Sequence, residues 1–316
     1  MDRISDYYTL PLDDWISRFV TDWLVPNFRD AFQTIQWPII QVLNGLEAFL
    51  LAVPFPVFLV AVTLIAWRTA GRGVAVFTAL ATAALDLLGV WDATMITLAM
   101  ILTSVLFCAL VGIPVGVLAA RSDTFAAVIR PVLDIMQTIP AFVYLVPIVM
   151  LFGVGIVPGI IATIVFAMPP IIRLTNLGIR QVRRELVEAA VAFGSTPRQV
   201  LVEVQVPLAM RTIMAGLNQT LMLSLSMVVI AALIGAGGLG LIVYTGLGRL
   251  DVGAAALGGI AIVLLAIVLD RITQAVGQSR VKVGRKRSQG TLRRLLGWLR
   301  TRGGNTSSGR GVRAQR

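Results

Sequence analysis

Apolar positions in this chain come in long blocks, not in the narrow stripes of a soluble core, and one polar stretch from Arg173 to Arg211 divides them. Seven blocks read as membrane spans, roughly residues 54–67, 73–91, 93–120, 140–156, 158–172, 211–234 and 252–270. At 1.5 Å per residue the third reaches about 42 Å against a hydrocarbon core of about 30 Å, so it should tilt or project into the cytoplasm. The fourth and fifth are short and interrupted, by Pro147, Gly153 and Gly155 and then by Pro158, Pro169 and Pro170. Such breaks are tolerated where a segment lines a cavity. Residues 37–53 are apolar too, but Pro38, Asn44 and Glu47 interrupt them; they stand outside the seven, with an additional membrane or re-entrant segment left open. Before them, Trp15, Ile16, Phe19, Val20 and Trp23 share one helical face while Asp14, Arg18 and Asp22 fall elsewhere. That pattern suits a helix lying at the membrane interface, and equally a stripe packed on the protein itself.

The polar stretch has a legible local chemistry. From about Gln181 to Phe193 the residues are good helix formers, and Gly194 suits the left-handed position that ends a helix. Thr196-Pro197-Arg198-Gln199 follows, in which Thr196 caps the next helix, Pro197 takes its first position and Gln199 completes a capping box. Val200, Leu201 and Val204 carry that helix forward, and it is expected to end before Pro207, which has no N–H to donate. The prediction is a helix, a turn and a helix.

Here the residues carry a resemblance. Glu188-Ala189-Ala190, then three residues, Gly194, nine residues and Val204-Gln205-Val206-Pro207 resemble the EAA loop of binding-protein-dependent ABC importer permeases. Val204 and Val206 stand where that family usually has Ile and Leu, a conservative departure. From about Trp91 to Gly277 the chain also resembles the glycine betaine/L-proline permease family, notably in Met136-Gln137-Thr138-Ile139-Pro140-Ala141-Phe142-Val143-Tyr144-Leu145-Val146-Pro147 and Asn218-Gln219-Thr220-Leu221-Met222-Leu223. The resemblance implies an all-α, polytopic membrane helical bundle of the MetI-like permease type, multi-pass in the cell (inner) membrane. It implies a chain that is not an enzyme and binds no cofactor, ATP being bound by a partner ATPase subunit. It implies further partners: an extracytoplasmic substrate-binding protein and a second permease copy. The ATPase-coupling residues would be Glu188, Ala189, Ala190, Gly194, Thr196, Pro197 and Pro207. Substrates would be glycine betaine, proline betaine or L-proline-type osmolytes, with choline, carnitine or another amino acid as the alternative. An ATP-independent osmotic channel or membrane scaffold would leave the EAA spacing unexplained.

For the substrate pathway, the broken spans and a polar Asn within an apolar helix point to Met136, Gln137, Tyr144, Asn218 and Met222 as candidate cavity walls. Ordinary helix packing is the competing reading for each. Asp86, Asp134 and Asp270 are ionisable residues in or near apolar segments. Asp86 lies close to the outer end of its span and Asp270 beside Arg271, so both can reach the interface, while Asp134 suits a helix start or packing. Gly112 and Gly116 have the spacing that lets membrane helices approach closely.

Composition agrees with the hydropathy pattern. The chain is 57% hydrophobic and 14% charged, where soluble domains carry about 25% charged residues. Its net charge of +11 is entirely a tail: residues 271–316 hold 13 basic and no acidic side chains, and residues 1–270 hold 14 basic and 16 acidic. With the EAA loop inside, Arg68, Arg72, Arg121, Arg130, Arg173 to Arg211 and the tail all become cytoplasmic, and the opposite loops keep only Arg249. Seven spans then put the N-terminus outside and the C-terminus in the cytoplasm. Three regions follow: an extracytoplasmic or interfacial segment (1–53), a membrane domain (54–270, with the EAA loop at about 181–207) and a basic, partly disordered tail (271–316). Met1 to Leu10 lacks the apolar core of a cleavable signal. In the tail, Leu292, Leu295, Leu296 and Leu299 share a face ringed by arginines, which suits anionic membrane lipids and not nucleic acid.

Three chemistries are excluded. A single cysteine, Cys108, and no histidine leave no internal disulfide and no zinc cluster. Gly235 to Gly240 spells G-x-G-x-x-G, but no strand–helix–strand unit surrounds it, so it reads as a flexible or re-entrant connection. Lys282 and Lys286 are the only lysines and neither sits in a phosphate-binding loop.

Overall fold

Proline and glycine decide where this chain bends, and less often than the sequence suggests do they end a helix. A computed structural model describes the backbone of residues 11–302 and the side chains of residues 11–277, apart from a few near Leu12 to Asp30. The opening ten residues, the tail side chains and everything from Gly303 lie outside the described residues, so the lipid-facing leucines and the disordered end expected there are not described. Among the described residues there is no strand.

Helix α1 (Leu12–Arg18) passes through a π-turn, Phe19–Leu24, into α2 (Val25–Ala52). Trp15, Phe19 and Trp23 are about half exposed, and Phe19 stacks on Trp23, so the aromatic face is not fully covered by the described residues. Ala31–Ala52 is long and apolar enough to cross a membrane despite Pro38, Asn44 and Glu47. Pro38 stays inside the helix. Next come α3 (Phe55–Ala70) and α4 (Arg72–Leu87), 16 residues each and hinged at Gly71 with φ 97°. Each is therefore about 24 Å long, short of a full crossing.

The 31-residue α5 (Trp91–Arg121) is the central post. After it, α6 (Asp123–Thr138), N-capped by Ser122, meets a second stretch made of a 3-10 turn, Ala141–Tyr144, and α7 (Leu145–Phe152). The two halves bend by 105° at Ile139-Pro140 and together are long and apolar enough for a broken span or a re-entrant loop, in place of the simple span expected at 140–156. Helices α8 (Ile156–Ala167) and α9 (Pro169–Arg180) make one 25-residue span, so the break expected at Pro169-Pro170 does not occur. Those prolines sit at the first positions of a helical turn and Pro158 in the first turn of α8, where an N–H has no intrahelical partner to lose.

Short helices α10 (Arg184–Ala192) and α11 (Pro197–Gln199) lead through a π-segment, Val200–Gln205, into α12 (Val206–Ala232). Finally α13 (Leu239–Gly248) and α14 (Val252–Arg302) form a hairpin. Among the described residues, five helices can cross a membrane by length and composition, and six if the bent pair is one span.

Close backbone approach holds the bundle together. A Cβ on Gly112 would lie 2.5 Å from Ile171 Cγ2, and one on Gly116 would lie 2.6 Å from Thr175 Cβ, so α5 can seat on α9 only through these glycines. Five buried hydroxyls are satisfied locally: Thr94, Thr103, Ser104, Thr163 and Ser224 each donate to the carbonyl four residues back. The glycine string after α12 is packed, not flexible. Ala236 and Leu239 are fully buried, Gly155 N donates to Ile234 O at 2.7 Å, and Leu239 N donates to Thr97 Oγ1 at 2.8 Å.

Two contacts locate α2. Gln36 Nε2 donates to Phe152 O at 3.0 Å, and beyond its other end Phe55 and Phe58 meet Trp91 edge-on at 5.0 and 5.2 Å. Gln36 lies in the middle of α2, and if the α6–α7 pair makes one crossing, this contact and the Trp91 contact lie toward the same face.

Candidate functional site

The turn between α10 and α11 is built from two complementary caps. Ser195 N donates to Ala190 O at 3.0 Å and Gly194 N to Val191 O at 2.9 Å, the paired bonds that close a helix C-terminus. Gly194 supplies the required left-handed backbone, with φ 85°. Thr196 then begins the next helix: Gln199 N donates to Thr196 Oγ1, and Thr196 N donates to Gln199 Oε1 at 2.8 Å. The capping box expected from the sequence is complete, with Pro197 at the first helical position.

One expectation fails at Pro207. The second helix does not end there but continues as Pro197–Ala232, 36 residues long. The π-segment provides the reason: Val206 N reaches back five residues to Leu201 O, so the ladder is already widened where Pro207 brings no N–H. The turn is therefore joined to a membrane helix with no loop between them.

The two halves of the turn differ in burial. Val200 is buried, and Leu201 packs on the cluster of Ile179, Ala209 and Ile213, which seats the second helix on the bundle. No residue of α10 is buried. Glu188 and Ala189 are exposed, Ala190 is half-buried, and Phe193 beside Gly194 is 91% exposed. With Leu186 and Val191 also exposed, the turn presents an apolar face edged by carboxylates that nothing among the described residues covers.

The five pathway candidates do not converge on one cavity. Tyr144 Oη donates to Met136 O at 2.7 Å, which staples the 105° bend. Gln137 is exposed and Met136 half-buried beside it. Asn218 faces α14, where its Nδ2 donates to Asp270 Oδ1 at 2.9 Å and its Oδ1 accepts from Thr273 Oγ1 at 2.6 Å. Met222 is half-buried against the main core. A cleft of about 590 Å3 opens elsewhere, between α5, α6 and α9, and none of the five lines it.

That cleft is edged by charges the sequence reading had not combined. Arg173 pairs with Asp134 at 2.5 Å and Arg180 with Asp123 at 2.6 Å, both across α6 and α9. Arg180 also donates to Ala119 O and Asn176 Oδ1, each at 2.7 Å. The signal was available: Arg173 and Arg180 are two helical turns apart, Asp123 and Asp134 three, so each pair lies along one face of its helix. Asp270 is likewise held by neighbouring side chains. It accepts from Asn218 and from Gln274 Nε2 at 2.6 Å.

The comparisons with known proteins bear on the same residues. The glycine betaine/proline betaine transport system permease protein ProW of Escherichia coli (strain K12) is 55% identical over 88% of this chain and 78% of its own length. The glycine betaine transport system permease protein OpuAB of Bacillus subtilis (strain 168) is 47% identical over 87% of this chain and 96% of its own. Among solved structures, the inward-facing MetNI methionine ABC transporter superposes with a TM-score of 0.52 at 27% identity, covering 59% of this chain and 92% of that one. Residues 112–282, which include the α10–α11 turn and the glycine contacts of α5, match the family described as binding-protein-dependent transport system inner membrane component. The chain belongs to that family.

Proposed function

We propose that this chain is the membrane permease of an ABC importer for glycine betaine, proline betaine or L-proline-type osmolytes. The observation that carries the reading is the α10–α11 turn, an uncovered apolar face joined without a loop to the 36-residue helix through α12. The 55% identity to a glycine betaine/proline betaine permease supports the substrate class. A cytoplasmic ATPase seats on Glu188, Ala189, Ala190 and Phe193, while Gly194, Thr196 and Pro197 hold the turn and Pro207 passes its movement into α12. ATP is bound and hydrolysed by that partner, and an extracytoplasmic binding protein delivers the substrate to a pair of permease copies. The bend at Met136, Gln137 and Tyr144 flanks the pathway. Alternation of access follows from closure of the ATPases, which favours one arrangement of the spans over the other.

The turn lies in the cytoplasm and the N-terminus outside. Support comes from the arginine distribution and from α2, whose anchors at Phe152 and Trp91 share one face, so that α2 adds no net crossing.

The test is uptake of labelled glycine betaine into proteoliposomes holding the permease with its ATPase and binding protein. Uptake should require ATP and the binding protein and should be competed by proline betaine. Uptake that persists without the ATPase would favour a channel, and competition by choline or carnitine alone would move the substrate class.

A further inference from the structure

We propose that the α13–α14 turn is a docking finger for the extracytoplasmic binding protein, with the Leu250 side chain seated in an apolar pocket of that partner; the inference rests on the importer reading above.

Leu250 is the one non-glycine residue with positive φ among the described residues, at 56°. It occupies the left-handed position of a helix C-cap: Leu250 N donates to Leu247 O at 3.2 Å and Asp251 N to Gly246 O at 2.8 Å. Glycine is the usual occupant because a Cβ crowds the following carbonyl there. At Gly89 and Gly194 this chain does place glycine in left-handed turns, with φ 71° and 85°. The leucine at 250 is also 88% exposed, with Leu247 and Val252 exposed beside it. Backbone strain and apolar exposure thus fall on one residue, and glycine would relieve both.

Height in the membrane separates the occupants. The base of α13 is fixed by the bond from Leu239 N to Thr97 Oγ1, nearly two turns into α5 from Trp91. From there α13 runs antiparallel to α14, Gly258 against Val243 and Gly246 against Ala255. Ten residues of α13 rise about 15 Å, and Thr97 lies about 9 Å below Trp91, so the turn projects beyond Trp91 by several ångströms. Trp91, packed with Phe55 and Phe58, is the aromatic cluster expected at the outer interface. Leu250 therefore stands on the watery side of it. Arg249 and Asp251 flank it, and Asp251 Oδ1 accepts from Ala254 N at 3.0 Å to cap α14, an arrangement suited to water and not to hydrocarbon. An exposed aliphatic side chain on a strained, charged turn beyond the lipid fits a soluble protein partner.

The test compares wild-type permease with Leu250→Gly and Leu250→Met in the reconstituted importer, titrating binding protein loaded with glycine betaine. Leu250→Gly should unfold at or above the wild-type temperature, yet should raise the binding-protein concentration for half-maximal uptake about tenfold, the effect of truncating an interface anchor. Leu250→Met should stay near wild type. If Leu250→Gly folds poorly, Leu250→Asn, which tolerates the left-handed backbone, takes its place. An unchanged half-saturating concentration would overturn the proposal. So would loss of the permease dimer with that concentration unchanged, which would assign the turn to a second copy. Failure of the importer reading is distinct, because it would appear as wild-type uptake that ignores the binding protein.

Discussion

Asn218 on α12 and Asp270 on α14 are joined by a 2.9 Å hydrogen bond, with Thr273 and Gln274 completing the cluster. A polar residue in an apolar helix is here held by a neighbouring helix instead of opening onto a cavity. Because α12 continues from the α10–α11 turn, the bond ties the helix that leaves that turn to α14.

Asn218→Leu should destabilise the permease by about 1–2 kcal/mol, since a bond between membrane helices is lost and Asp270 keeps only Gln274 as donor. Asp270→Asn should cost less, because it retains the oxygen that accepts both amides. Thermal unfolding in detergent measures both, and an unshifted Asn218→Leu would show that the bond contributes nothing.

Gly194→Val should cost the turn about 1–2 kcal/mol, the penalty of a left-handed backbone for an L residue. No atom lies within 4 Å of a Cβ there, so the fault is confined to the backbone and spares the packing of the membrane bundle. Permease should remain at wild-type level in the membrane while less ATPase co-purifies with it. A bulky residue at Ala190 should do the same from the contact face. Wild-type co-purification together with wild-type uptake in both variants would remove the turn from the coupling path.

Elements set by local chemistry were legible. Gly194, Thr196 and Gln199 act on neighbours a few residues away, so the caps could be written down before any fold was known. Gly112 and Gly116 announced a close contact but not its partner, because Ile171 and Thr175 arrive only when α9 folds back. Prolines misled for the same reason. Pro169, Pro170 and Pro207 break a helix only if an N–H is needed at that point, and the first turn of α9 and the π-segment before Pro207 remove the need. Pathway residues were the least legible, since a cavity is assembled from distant segments: Tyr144 spends its hydroxyl on Met136 and Asn218 its amide on Asp270.

Gly116→Val should be among the most damaging single changes in the membrane domain. Its new side chain would meet Thr175 Cβ at 2.6 Å and Ile172 O at 2.8 Å, and a backbone carbonyl cannot rotate away as a side chain can. Overpacking of this kind costs about 1–3 kcal/mol, more where the backbone must shift. Gly71→Ala, by contrast, meets no neighbouring atom and is limited to its φ of 97°. Unfolding temperatures of the two variants should differ in that order, and equal losses would mean that α5 and α9 are not in close contact.

Cys108 permits a test of orientation without removing the native cysteine. Its side chain is fully buried and its Sγ lies 3.6 Å from Ile164 O, so a maleimide should not label the folded wild-type permease. Labelling should appear only on denaturation. Against that silent background, a cysteine replacing Asp6 should react with a membrane-impermeant maleimide in intact cells, and one replacing Ser307 only after the cells are opened. Both outcomes follow if the arginine-rich loops are cytoplasmic and α2 begins and finishes on one face. Protection of the Asp6 position with free labelling of the Ser307 position would invert the bundle, and with it the assignment of the α10–α11 turn to an ATPase and of Leu250 to an external partner. Protection at both positions would instead mean that α2 crosses the membrane, leaving the coupling turn inside and adding one span to the count.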